Sequence, residues 1–136
     1  MATNQELVER MVTLLGSGDL PAATRLLTES ASDDFIQEWP QSGERFRKDS
    51  LIRMGESYSA ATGTRPTFEH HRTTGEGDLV VTEGFIDYGN GTTANYCGIA
   101  EFRGGKVAKL TEYFAAPFEA PEWRKQFVAQ PVGARS

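Results

Sequence analysis

The sequence holds one cysteine, Cys97, among 136 residues. A single thiol cannot close an internal disulfide, and no CxxC or His/Cys cluster stands beside it, so neither a redox framework nor a zinc site is indicated. Histidine is almost as scarce. The two present, His70 and His71, are adjacent, and neighbours on a strand point to opposite faces, so they cannot chelate one metal ion together. Basic residues are few: 14 Lys and Arg against 19 Asp and Glu leave a net charge of −5, with no basic cluster to offset it. This works against binding a phosphate backbone, and nucleic acid is not an expected partner. No apolar run approaches the roughly 20 residues of a membrane helix. The opening Met-Ala-Thr-Asn-Gln-Glu has neither a basic nor an apolar signal region, so no membrane association and a cytoplasmic location are expected. Asn90-Gly91 reads as a hairpin turn and not as a phosphate loop, and no cofactor is expected.

What is present suffices for one hydrophobic core. The chain is 38 % hydrophobic and 10 % aromatic, and its length suits one domain over 1–136, with flexible tails expected over about 1–4 and 129–136. Leu7, Val8, Met11, Val12, Leu14 and Leu15 recur at helical spacing before Gly16. Asp19 suits the N-cap of a second helix, with Pro21 in its first turn. A strand over about Asp34 to Trp39 stops at Pro40, and 41–47 reads as a loop. A third helix runs from about Asp49 to Ala60. Turn signals at Gly75-Glu76-Gly77-Asp78, Gly89-Asn90-Gly91 and Gly104-Gly105 then divide four strands, about 67–74, 79–88, 92–103 and 106–114. Short connections make these antiparallel neighbours. Pro121 is expected at N1 of a short helix reaching about Val128.

The pattern predicts an α+β fold, a cone-shaped curved antiparallel sheet wrapped by three N-terminal helices around a central pocket, with a short C-terminal helix. The order of elements, with Leu7-Val8-Glu9-Arg10 through Gly18-Asp19, Asp33-Asp34-Phe35-Ile36-Gln37-Glu38-Trp39-Pro40, and Gly98 through Val107 to Glu112-Tyr113-Phe114, resembles the nuclear transport factor 2-like superfamily. Within it the likeness is to the SnoaL-like, ketosteroid isomerase and limonene epoxide hydrolase branches. Aligned with ketosteroid isomerase, whose aspartate base and oxyanion hole are well described, the base position becomes Trp39, the oxyanion aspartic acid Ala100 and the helix-one tyrosine Met11. Those side chains cannot perform that chemistry; a one-residue shift of register would leave Glu38 as a displaced carboxylate. Against limonene epoxide hydrolase, Glu112 keeps a carboxylate of the Asp-Arg-Asp set, the arginine falls on Glu83, and the other aspartate lies near Phe85 or Asp87.

Alternation along the last strand places Glu112 inside the cone if Leu110 and Phe114 point there. On the strand over 79–88, the alignment favours Leu79, Val81, Glu83, Phe85 and Asp87 as the interior set. Up to three carboxylates would then share one apolar cavity, where burial and repulsion raise a pKa toward neutrality. Glu112 and Asp87 are accordingly the candidate catalytic residues. Gln37, Trp39, Tyr58, Glu83, Phe85, Tyr96 and Phe114 form the candidate substrate-binding set, and no metal ligand is expected. The function expected is a cofactor-independent cyclase, isomerase, dehydratase or hydrolase acting on a small apolar or polyketide-like metabolite; the alternative is a non-catalytic ligand-binding or dimerisation module. A homodimer is expected through the outer sheet face, bearing Thr93, Asn95, Cys97, Ile99, Glu101 and Ile86.

Overall fold

A computed structural model describes residues 2–129. Its elements run α1 (Asn4–Gly16), α2 (Leu20–Ser30), β1 (Ala31–Trp39), β2 (Glu44–Arg47), α3 (Lys48–Thr62), β3 (Thr67–Thr74), β4 (Leu79–Asp87), β5 (Thr93–Arg103), β6 (Lys106–Ala115) and α4 (Glu122–Lys125). The helix starts follow local chemistry. Thr3 and Glu6 form a reciprocal capping box at α1, and Asp19 Oδ1 accepts the Ala22 amide at 3.1 Å at the start of α2. Such caps contribute about 1 kcal/mol each by pairing amides that have no partner within the helix. The α3 helix ends where Gly63 takes φ 71°, a left-handed conformation that costs glycine nothing.

The six strands form one curved mixed sheet in the order β2-β1-β6-β5-β4-β3. From β3 to β6 it is the expected antiparallel meander. Two features differ from the sequence reading. First, β1 lies parallel to β6, with Gln37 opposite Leu110 and Glu38 opposite Thr111. About half of the chain intervenes between these two strands, so no tight turn dictates their relative direction. Second, Glu44 to Arg47, expected as part of a loop, is the edge strand β2, paired antiparallel with β1. The turn joining them is held by the Ser42 and Gly43 amides, which donate to the Trp39 carbonyl at 3.2 and 2.9 Å. A four-residue strand shows no alternation that could have revealed it; partnering with β1 makes it.

The ends also differ in detail. Within the tail expected over 1–4, Thr3 caps α1, and the Asn4 side-chain amide donates to the Gly77 carbonyl at 2.6 Å. Residue 1 and residues 130–136 of the expected tails lie outside the described residues. Pro121 is the N-cap of α4, not N1, and that helix stops at Lys125. Trp123 and Phe127 stand 70 % and 72 % exposed.

The core gathers at one end of the cone. Val8 and Val12 from α1 and Leu51 from α3 pack on Ala31 and Phe35 of β1, Val80 of β4, Ala100 and Phe102 of β5 and Val107 of β6. Phe35, Val80 and Val107 are the largest side chains wholly removed from water. Between the helices and the sheet lies a cavity of about 630 Å³, whose wall includes Val8, Val12, Leu51, Ala100 and Val107 of this core. Among the described residues, no helix is long and apolar enough to cross a membrane.

Candidate functional site

The cavity is walled mainly by apolar side chains, with Met11 and Val12 of α1, Leu27 of α2 and Met54 of α3 facing the sheet. On β6, Leu110, Glu112 and Phe114 point inward together, as strand alternation requires. Beside them β1 runs parallel, with Glu38 against Thr111, and so brings Gln37 and Trp39 to the cavity. Across β5, Gly98 is the cross-strand neighbour of Glu112 and Tyr96 that of Phe114.

These registers converge on one carboxyl group. Gln37 Nε2 donates to Glu112 Oε1 at 2.5 Å, Trp39 Nε1 donates to the same oxygen at 2.9 Å, and the Tyr96 hydroxyl donates to Oε2 at 2.5 Å. Burial pushes the Glu112 pKa above its ordinary value of 4.5, while the bonds from Tyr96, Trp39 and Gln37 favour the ion and restrain the rise. Desolvation outweighs three donors because the surrounding wall is mainly apolar and, among the described residues, no cation lines it. Burial pushes the Tyr96 phenol well above its usual range, and the charge and hydrogen bond of Glu112 add to this. Burial likewise raises Tyr88, with smaller contributions from Tyr58 and Glu112. Tyr96 therefore stays a donor wherever the protein is folded near neutrality.

The rings around the carboxyl form a continuous edge-to-face chain. Phe46 meets Trp39 at 4.6 Å between centroids, Trp39 meets Phe114 at 5.6 Å, Phe114 meets Tyr96 at 5.5 Å and Tyr96 meets Phe68 at 5.3 Å. Each such pair adds about 0.5–1.5 kcal/mol beyond its buried area and fixes ring orientation. Tyr96 can lean across to Glu112 only because position 98 has no side chain: a Cβ there would lie 2.3 Å from the Tyr96 hydroxyl oxygen. Gly98→Ala should keep the fold, since the obstructed atom is the far end of a side chain, but drive the phenol off the carboxylate. Losing that donor should raise the Glu112 titration midpoint in carbon-detected NMR; an unchanged midpoint would show that Tyr96 does not tune it.

Of the residues singled out from the sequence, Glu112, Gln37, Trp39, Tyr58, Tyr96 and Phe114 all face the cavity. The β4 candidates do not. The inward residues there are Thr82 and Ile86, with Tyr88 just beyond the strand, so Glu83, Phe85 and Asp87 lie on the opposite face. Glu83 is paired with Arg72, and Asp87 Oδ1 caps the following turn by accepting the Gly89 amide at 2.8 Å. The alternation signal was ambiguous because both faces of β4 are apolar, with Val80 and Ile86 on one and Val81 and Phe85 on the other. What settles it is Gly84, over which the Phe68 ring lies; a Cβ at 84 would come within 2.1 Å of that ring. Neither β4 carboxylate therefore stands beside Glu112, and burial rather than repulsion from Asp87 or Glu83 raises its pKa. Ile86, expected on the outer face, lines the cavity. Glu38 is no displaced carboxylate either: it points outward to Lys109 at 2.9 Å and Arg45 at 3.5 Å, and the Lys109 hydrogen bond holds its pKa low. Met11, Trp39 and Ala100 do line the cavity, and none of the three can ionise.

Phe46, Phe68, Thr82, Ile86 and Tyr88 belong to the site and were not anticipated. Only the glycines at 84 and 98, each set among β-branched and aromatic residues, hinted that rings pass over the inner face. Neither His70 nor His71 lines the cavity; His70 Nε2 instead meets the Thr73 hydroxyl at 2.7 Å on the exposed surface. Among the described residues, no group of three or more His, Cys, Asp or Glu could hold a metal ion.

Comparison with known proteins agrees with this architecture. The SnoaL-like domain family matches residues 8–110. A nuclear transport factor 2-like protein of unknown function from Burkholderia xenovorans LB400 is 39 % identical, with 94 % of each chain covered and a TM-score of 0.72. A protein from Kribbella flavida DSM 17836 proposed to be a ketosteroid isomerase superposes with a TM-score of 0.77 at 19 % identity, covering 97 % of this chain and 93 % of that one. One from Sinorhizobium meliloti proposed to be a polyketide cyclase gives 0.57 at 18 % identity, over 76 % and 93 % of the two chains. No curated protein matches the sequence significantly. A curved sheet with its helices gathered on one face, a match over most of the chain and a relative at this identity together establish that the chain belongs to the SnoaL-like domain family of the nuclear transport factor 2-like superfamily.

Proposed function

We propose that the domain is a cofactor-independent acid/base enzyme acting on a small, largely apolar molecule, with Glu112 as its proton-transfer group. The observation that carries this reading is the placement of one carboxyl group, held by three neutral donors, within an otherwise apolar cavity. A carboxylate offers about four lone-pair positions. Gln37, Trp39 and Tyr96 occupy three, which leaves one on Oε2. As the ion, Glu112 can take a proton from a ligand at that position, and as the acid it can return it. The three donors keep the group from rotating and restrain, without cancelling, the rise in basicity that burial causes. Isomerisation, cyclisation, dehydration and hydrolysis all need such a step, and relatives proposed to be a ketosteroid isomerase and a polyketide cyclase share the fold.

One observation favours a second reading, binding without turnover. Among the described residues, Glu112 is the one carboxyl that the inner strands carry into the cavity, and the positions that the isomerase comparison makes catalytic hold Trp39, Ala100 and Met11. The two readings separate in a measurement that needs no substrate. Carbon-detected NMR of the Glu112 carboxyl in the free protein should give a midpoint above its ordinary 4.5. A midpoint at or below that value would remove the acid/base role and leave a binding protein.

A further inference from the structure

The wall of the cavity carries charge of one sign only. Among the described residues its lining includes two carboxylates, Glu112 inside and the exposed Glu44, and no lysine, arginine or histidine. The three partners of Glu112 are an amide, an indole and a phenol, all neutral. A buried ion stabilised by dipoles alone lacks the counter-charge that buried ions ordinarily have. Around it stand the rings of Trp39, Phe114 and Tyr96; Trp39 and Tyr96 turn their N–H and O–H edges to the carboxyl, and the faces of such rings attract cations.

We infer that the cavity takes a protonated amine carried on an apolar body, its ammonium seated between the open lone pair of Glu112 and the rings of Trp39, Phe114 and Tyr96. This rests on reading the cavity as a ligand site and names the class of molecule it selects. An ammonium group supplies in one atom both what Glu112 lacks, a counter-charge, and what its last lone pair accepts, a hydrogen-bond donor. An alcohol supplies only the second. A carboxylate supplies neither and meets two like charges. The apolar remainder of such a ligand would lie against Met11, Leu27, Met54 and Leu110, where a second polar group would find few partners.

Three probes of one shape test this: naphthylethylamine, naphthylethanol and naphthylacetate. They are titrated into the full chain by calorimetry at about pH 8, above the carboxylate range and below that of an alkyl ammonium. Tyr58, Tyr88, Tyr96 and Glu44 are the other titratable groups lining the cavity. The amine should bind at least about tenfold tighter than the alcohol, and the carboxylate weakest of the three. In Glu112→Gln the advantage of the amine over the alcohol should fall to roughly threefold or less. The variant should fold, because the new amide oxygen can keep accepting from Gln37 and Trp39 while its nitrogen donates to Tyr96. Tyr96→Phe, which keeps the charge and removes one donor, should preserve the preference and serves as the second variant. Equal binding of amine and alcohol, a preference for the carboxylate, retention of the amine preference in Glu112→Gln, or failure of all three probes to bind would each overturn the inference. None of those outcomes bears on proton transfer, which the Glu112 titration decides separately.

Discussion

If Glu112 transfers protons as proposed, Glu112→Gln should lower turnover by about 100-fold or more, the usual scale of a general acid/base group, while the protein stays folded. The amide occupies the same volume and keeps the contacts of Oε1, but it can neither take nor give a proton at the position Oε2 leaves open. If the domain only binds, the same change alters affinity and there is no turnover to lose. A second effect of this substitution is visible without any substrate. Because the folded protein raises the Glu112 pKa above 4.5, the contribution of this group to stability is fully present below the unfolded value and is lost as pH rises through the folded one. Glutamine cannot ionise. Thermal unfolding from about pH 4 to pH 8 should therefore show the variant gaining on the wild type as pH increases. Asp34 and Glu38 have lowered pKa values and act in the opposite direction, but they are common to both proteins and cancel in the difference. A difference that stays flat or shrinks with pH would mean that burial of Glu112 carries no net penalty.

Phe35→Ala produces the largest loss of stability expected at a single position, about 3–5 kcal/mol. Phe35 is 1 % exposed and sits in the cluster where β1 meets Val80, Phe102 and Val107 under the first helix. Truncation forfeits the transfer energy of the ring and leaves a void that strands paired on both sides cannot collapse to fill. Its consequence reaches the site, since the same strand carries Gln37 and Trp39 two and four residues on. Urea unfolding should show the midpoint falling with an unchanged slope. A loss below about 1 kcal/mol would mean that the core at this end of the cone repacks freely.

The two residues on which the site depends were legible to different degrees. Glu112 could be read from the last strand because Leu110 and Phe114 flank it at a spacing of two, and their burial carries it inward. Trp39 could be read as a strand terminus beside Pro40, but nothing local shows that its indole donates to Glu112. That contact follows from parallel pairing of β1 with β6, whose members are far apart in sequence. Tyr96 similarly reaches Glu112 from a position opposite Phe114, across a glycine.

Signals that act within a few residues were determined by the sequence itself: the capping box at Thr3 and Glu6, Asp19 and Pro21 at the second helix, the glycine turns between strands, and the inward parity of β6. They depend on backbone geometry that neighbouring side chains control directly. Tertiary structure alone decided which face of β4 looks inward. Val80, Val81, Phe85 and Ile86 make both faces apolar, so hydrophobic alternation gives no preference between them. The choice falls to the packing of Phe68 over Gly84, a contact between strands whose register no single strand specifies. That choice sends Glu83 and Asp87 out to Arg72 and to the turn at Gly89, and leaves Glu112 without a second carboxylate from β4 beside it in the cavity.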